Sequence, residues 1–124
     1  MEHAWKALEI CEKDFPEDYP GVALCYSSIG SVYRAQGNNE ETLKYVLKAL
    51  NKRLGCLPAN HPDIAISYNN VARTYYLLGR IGEAATHMRR AADIINRSTL
   101  PETHPNRVDY NKWADRLERE AQQA

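Results

Sequence analysis

The 124-residue sequence predicts an all-α protein built of stacked helical hairpins. The first observation behind this is an internal repeat: residues 16–54 align with residues 58–96 at an offset of 42. Pro16/Pro58, Pro20/Pro62, Ala23/Ala65, Tyr26/Tyr68, Tyr33/Tyr75, Gly37/Gly79, Glu41/Glu83 and Ala49/Ala91 are identical, eight identities in 39 positions, where ordinary composition gives roughly two or three. A fixed period of this size marks a stacked-repeat architecture. The second observation is helical spacing of apolar residues: Val22, Cys25, Tyr26, Ile29, Val32 and Tyr33 follow the i, i+3, i+4, i+7 pattern of one helix face. The third is punctuation. Gly37 and Gly79 end a helical run at the same repeat position, as residues tolerant of the left-handed conformation do. No segment alternates with the period of a strand.

The elements follow in order. Lys6-Ala7-Leu8 stands 42 residues before Lys48-Ala49-Leu50, so residues 2–14 are expected to form a lone second-type helix. Residues 20–54 form the first hairpin, with a helix over about 22–35, a break at Gly37-Asn38-Asn39, and a second helix over about 40–54 carrying Leu43, Val46, Leu47, Leu50 and Leu54 on one face. Residues 62–97 repeat it. Pro62 opens that hairpin, because a first-turn N–H has no intrahelical partner to lose, and Asp63 suits the positive helix end. His104-Pro105 repeats His61-Pro62 with one residue inserted. Residues 105–122 are then a lone first-type helix, polar enough at its end to act as a C-terminal cap. The expectation is one domain of about six antiparallel helices.

Bulk chemistry excludes several functions. Sixteen basic and sixteen acidic residues give zero formal net charge, against the basic surface that nucleic acid or an anionic membrane needs. No apolar stretch approaches the ~20 residues of a membrane helix. The N-terminal residues lack the basic start and apolar run of a signal peptide, and a cytoplasmic protein is expected. Cys11, Cys25 and Cys56 match neither a zinc pattern nor a disulfide framework, so reduced thiols are expected. His61 and His104 precede proline at one repeat position, which reads as structural. Glu83 and His87 share a helix face and read as an exposed pair. Arg89, Arg90 and Arg97 read as a solvated face. No phosphate loop, nucleophile elbow or carboxylate pair is present; no enzyme activity, cofactor or metal is implied.

The helices carry a recognisable pattern. Tyr26-x-x-Ile29-Gly30-x-x-Tyr33 and Tyr68-x-x-Val71-Ala72-x-x-Tyr75 resemble the first helix of the tetratricopeptide repeat, and Ala84, Met88 and Ala91 resemble its second. The 42-residue length and the run Asn60 to Ala65, Tyr68 to Ala72, Tyr75, Gly79 resemble the kinesin-light-chain type of this repeat. The resemblance implies a right-handed α-solenoid of antiparallel helix pairs. Small residues at Gly30, Ala49, Ala72 and Ala91 would let paired helices approach, and Tyr26, Tyr33, Tyr68 and Tyr75 would fill the spaces between hairpins.

The resemblance also implies a function: non-catalytic protein–protein interaction, with a partner's peptide lying in the groove lined by the first helix of each hairpin. Carried over by position, the groove residues are Ser27, Ser31 and Arg34 in the first hairpin. In the second they are Asn69, Asn70, Arg73 and Tyr76, with Arg80 at the rim. Leu24, Ser28 and Ala35, and Ile66 and Leu77, belong to the same faces. The two repeats differ most here, at Ser27/Asn69, Ser28/Asn70, Ser31/Arg73 and Arg34/Tyr76. Asparagine amides both donate to and accept from a peptide backbone, and arginines pair with carboxylates, so a partner with acidic side chains is expected. Ser27 and Ser31 stand where the family's carboxylate clamp has Lys and Asn, which argues against capture of a C-terminal carboxylate. The alternative is a structural module that spaces or oligomerises its neighbours. Trp5, Leu8, Ile10, Cys11 and Phe15 leave an apolar N-terminal end, expected either to continue a longer array or to self-associate.

Overall fold

The computed structural model describes Lys6, Glu9 and residues 21–123, and all its regular structure there is helical. The chain divides into two units, Met1–Pro58 and Ala59–Ala124. In the first, α1 (Gly21–Ala35) packs on α2 (Asn39–Cys56); in the second, α3 (Pro62–Leu77), α4 (Ile81–Asn96) and α5 (Pro105–Gln123) pack in sequence. Lys6 and Glu9 are helical; the rest of the lone helix expected over residues 2–14, Trp5 included, lies outside the described residues.

Both hairpin turns have one cause. Gly37 and Gly79 adopt φ of 78° and 79°, where a Cβ would be strained. The glycine lets the next amide reach back: Asn38 N–H bonds the Tyr33 carbonyl and Arg80 N–H the Tyr75 carbonyl, at 3.0 and 2.9 Å. This is the Schellman closure that satisfies the last carbonyls of a helix. The helices after the turns start differently. Asn38 Oδ1 accepts from Glu41 N–H, while Arg80 makes no side-chain cap. The repeated His-Pro pairs are caps: His61 Nδ1 accepts from Asp63 N–H at 3.0 Å and His104 Nδ1 from Asn106 N–H at 3.2 Å.

The first core joins Val22, Ala23, Tyr26 and Ile29 of α1 to Tyr45 and Ala49 of α2. Gly30 permits the approach, since a Cβ there would stand 3.3 Å from Val46 Cγ1. In the second unit Ile64, Val71, Ala72, Met88, Ala91 and Leu117 are fully buried. The four repeated tyrosines, expected to fill spaces between hairpins, find ring partners inside their own. Tyr26 and Tyr33 pack on Tyr45, at 6.3 and 5.7 Å, and Tyr68 and Tyr75 pack on His87, at 6.0 and 5.1 Å. Position 45 recurs at 87, so each hairpin holds a three-ring cluster.

Three expectations are corrected. His87 is not part of an exposed pair with Glu83: its ring is half-buried and its Nδ1 lies 2.8 Å from the Glu83 backbone carbonyl, while the Glu83 carboxylate takes both arms of Arg80. Arg89 is not merely solvated, because it reaches from α4 to Asp115, at 2.7 Å, and to Glu118 on α5. These two carboxylates raise its already high pKa. Cys25 is disulfide-bonded, against the expected set of reduced thiols, and Cys56 is in no disulfide.

Candidate interaction surface

The candidate residues lie on α1 and α3, and each unit presents them differently. On α1, Leu24 is 61% exposed and begins a stripe through Ser28, Ser31 and Ala35. Its hydroxyls are already used: Ser28 donates to the Leu24 carbonyl and Ser31 to the Ser27 carbonyl, at 2.9 and 3.1 Å. Such back-bonding to the preceding turn is a local satisfaction of serine in a helix. Ser27 Oγ is itself buried with no hydrogen-bond partner among the described residues. Arg34 is half-buried in the last turn. The α1 face therefore offers an apolar side chain and little directed polarity.

On α3 the same register reads Ile66, Asn70, Arg73, Leu77. Ile66 and Leu77 are 37% and 53% exposed. Between them the half-exposed side-chain amide of Asn70 has no hydrogen-bond partner among the described residues; its backbone carbonyl accepts from Thr74. Arg73 donates through Nε to Asn69 Oδ1 at 2.9 Å and through Nη2 to Asp109 of α5 at 2.6 Å. Its guanidinium also lies 5.2 Å over the Trp113 ring, and Tyr76 meets that ring edge-on at 5.5 Å. Asn69, Arg73 and Tyr76 are thus brought together with Asp109 and Trp113. Arg80 is not among them. It sits at the α3–α4 turn, locked to Glu83 and 4.7 Å over the Tyr75 ring.

Burial raises the Tyr75 phenol pKa, with a further contribution from the Glu83 charge. Burial likewise raises that of Tyr110 on α5. No group of His, Cys, Asp and Glu among the described residues is arranged to hold a metal ion, and no described helix is long and apolar enough to cross a membrane.

Sequence reasoning did not find Asp109 and Trp113 as neighbours of Arg73 and Tyr76. The signal lay in the His-Pro pairs, which set α3 and α5 in one register and make them successive first-type helices.

The sequence model of the tetratricopeptide repeat family matches residues 26–97. The chain belongs to the tetratricopeptide repeat family. Members of this family are scaffolds that generally serve as protein-interaction modules. The tetratricopeptide fold extends over nearly the whole chain: the crystal structure of nearly identical TPR-like repeats from a Podosopora anserina protein described as a kinesin light chain covers 98% of it, with a TM-score of 0.78 and 21% identity. A single-substitution variant of that protein gives the same values. This chain spans 57% of their length. No curated protein matches.

Proposed function

We propose that the protein is a non-catalytic interaction module that holds an acidic peptide segment of a partner along the exposed face of α3. The observation that supports this reading is the Ile66–Asn70–Leu77 stripe. Two exposed apolar side chains flank a half-exposed amide that has no protein partner among the described residues, the mixture that grips an extended backbone through hydrogen bonds and packs its side chains. Arg73 is half-exposed but already paired with Asp109, so an acidic side chain of the partner would have to take the place of that carboxylate.

A peptide-display screen against the purified chain supplies ligands for the test. Ile66→Ser/Asn70→Ala should weaken the selected peptides at least tenfold while leaving the circular-dichroism melt unchanged. Peptides that bind the variant as tightly as the wild type would place the site elsewhere. Cytoplasmic residence is part of the same reading; fractionation of cells expressing the tagged chain tests it, and recovery in the secreted or membrane fraction would overturn it.

A further inference from the structure

The two histidine caps of the second unit are alike in geometry and differ in one neighbour. His61 Nδ1 stands 3.0 Å from the Asp63 backbone nitrogen, and His104 Nδ1 stands 3.2 Å from that of Asn106. A backbone N–H can only donate, so each Nδ1 must hold a lone pair and each capping ring must be uncharged. Protonation removes that lone pair. It also sets a cation on the positive end of the helix dipole. Both effects oppose the first turn of the helix.

Proline follows each histidine, at Pro62 and Pro105, and has no N–H of its own. The next residue therefore supplies the capped amide, and its side chain decides what a charged cap meets. In α3 that residue is Asp63, whose Oδ2 lies 3.9 Å from His61 Nδ1. A protonated His61 thus keeps a counter-charge at its own cap. In α5 the residue is Asn106, which has no charge. The paired acids of the unit are held elsewhere: Asp109 by Arg73, Glu83 by Arg80, Asp115 and Glu118 by Arg89, and Glu120 by Arg116. Asp93 of α4 and Glu102 of the α4–α5 loop are exposed and make no ion pair with His104. Of the nearby cations, Arg97 is exposed, and Arg107 donates to the Leu100 carbonyl at 2.8 Å.

We infer that the seating of α5 is acid-sensitive through His104, whereas Asp63 shields α3 from the same change. The first turn of α5 leads into Asp109, which holds Arg73 of α3. It leads also into Asn111, whose amide exchanges hydrogen bonds of 3.0 and 2.8 Å with Asn96 of α4. Acid therefore loosens α5 from both neighbours. Stability is lost as pH falls, because the unfolded chain accepts the proton without losing a cap. Peptide binding at the α3 face plays no part in this response.

The melting temperature of the full chain, taken at about pH 7.5 and about pH 5 to bracket the range in which histidine changes charge, reads the effect. Asparagine caps a helix without titrating, so His104→Asn should shrink the acid-induced fall by about 3 °C. His61→Asn should change that fall by less than about 1 °C. Asn106→Asp gives α5 the neighbour that α3 has, and it should act in the same direction as His104→Asn. Asp63→Asn should enlarge the fall. A fall left unchanged by His104→Asn would overturn the inference. So would an equal response to His61→Asn and His104→Asn, or no reduction with Asn106→Asp, a variant that leaves the His104 cap itself in place.

Discussion

At the turn of the first hairpin, Asn38 caps α2 with its side-chain oxygen. At the same repeat position of the second, Arg80 caps nothing, grips Glu83 and covers Tyr75. The middle ring of the aromatic cluster is Tyr45 in one and His87 in the other, and the cation at the matching position is Lys48 or Arg90. Gly30 faces Val46 in one, where the larger Ala72 and Met88 occupy the matching positions in the other. What stays fixed is backbone geometry, namely the glycine at positive φ and the reach of the next amide to the tyrosine carbonyl. What varies is how a given space is filled and how a given charge is satisfied. The first hairpin brings Gly30 against Val46, and the second buries Ala72 and Met88 at the matching positions. Either way leaves the close packing that protein interiors require.

The largest test of this comparison is truncation of the facing residues. Met88→Ala removes a fully buried side chain and should cost about 2–5 kcal/mol. Val46→Ala at the matching position should cost less, about 1.5–3 kcal/mol. Urea denaturation measures both. Equal costs would mean that the first hairpin depends on side-chain volume at this contact as heavily as the second.

Exchange of the middle rings comes next. Tyr45 lies nearly parallel to Tyr33, 5.7 Å away at 13°, whereas His87 is tilted 44° to Tyr75. Tyr45→His should therefore cost about 1 kcal/mol in lost stacking and burial, and His87→Tyr should be near neutral. A neutral Tyr45→His would show that the cluster does not discriminate ring geometry. The cap follows: Asn38→Ala should cost about 1 kcal/mol, and Arg80→Ala about 0.5 kcal/mol, since its ion pair is about half exposed. Thermal melts of the two variants rank them.

The parts of the molecule that can be read in the sequence are those determined within one hairpin. Helix spacing, Gly37 and Gly79, and the prolines mark where each helix runs, because caps and turns are local. What cannot be read is the neighbour. Periodicity tells which face of α1 is buried but not against what, so it does not announce that Tyr26 and Tyr33 meet Tyr45 of their own hairpin. Arg89 reads as solvated because its partners stand 26 and 29 residues away on another helix. The surface divides similarly. Asn70 is legible from its register, but the carboxylate that occupies Arg73 lies 36 residues on, and no local signal announces it.

The smallest effect is a pH dependence of the second unit. The Tyr75 and Tyr110 phenols, both in the second unit, have pKa values raised chiefly by burial, which disfavours the phenolate. The folded state thus keeps protons that the unfolded chain gives up near pH 10. The sign follows from linkage: the contribution is fully present below the unfolded value and is lost as pH rises through the higher folded values. Melting temperature should fall more steeply above about pH 10 than the net charge change alone requires. Tyr110→Phe and Tyr75→Phe should each flatten that slope. An unchanged slope in both variants would mean that the alkaline loss comes from other groups.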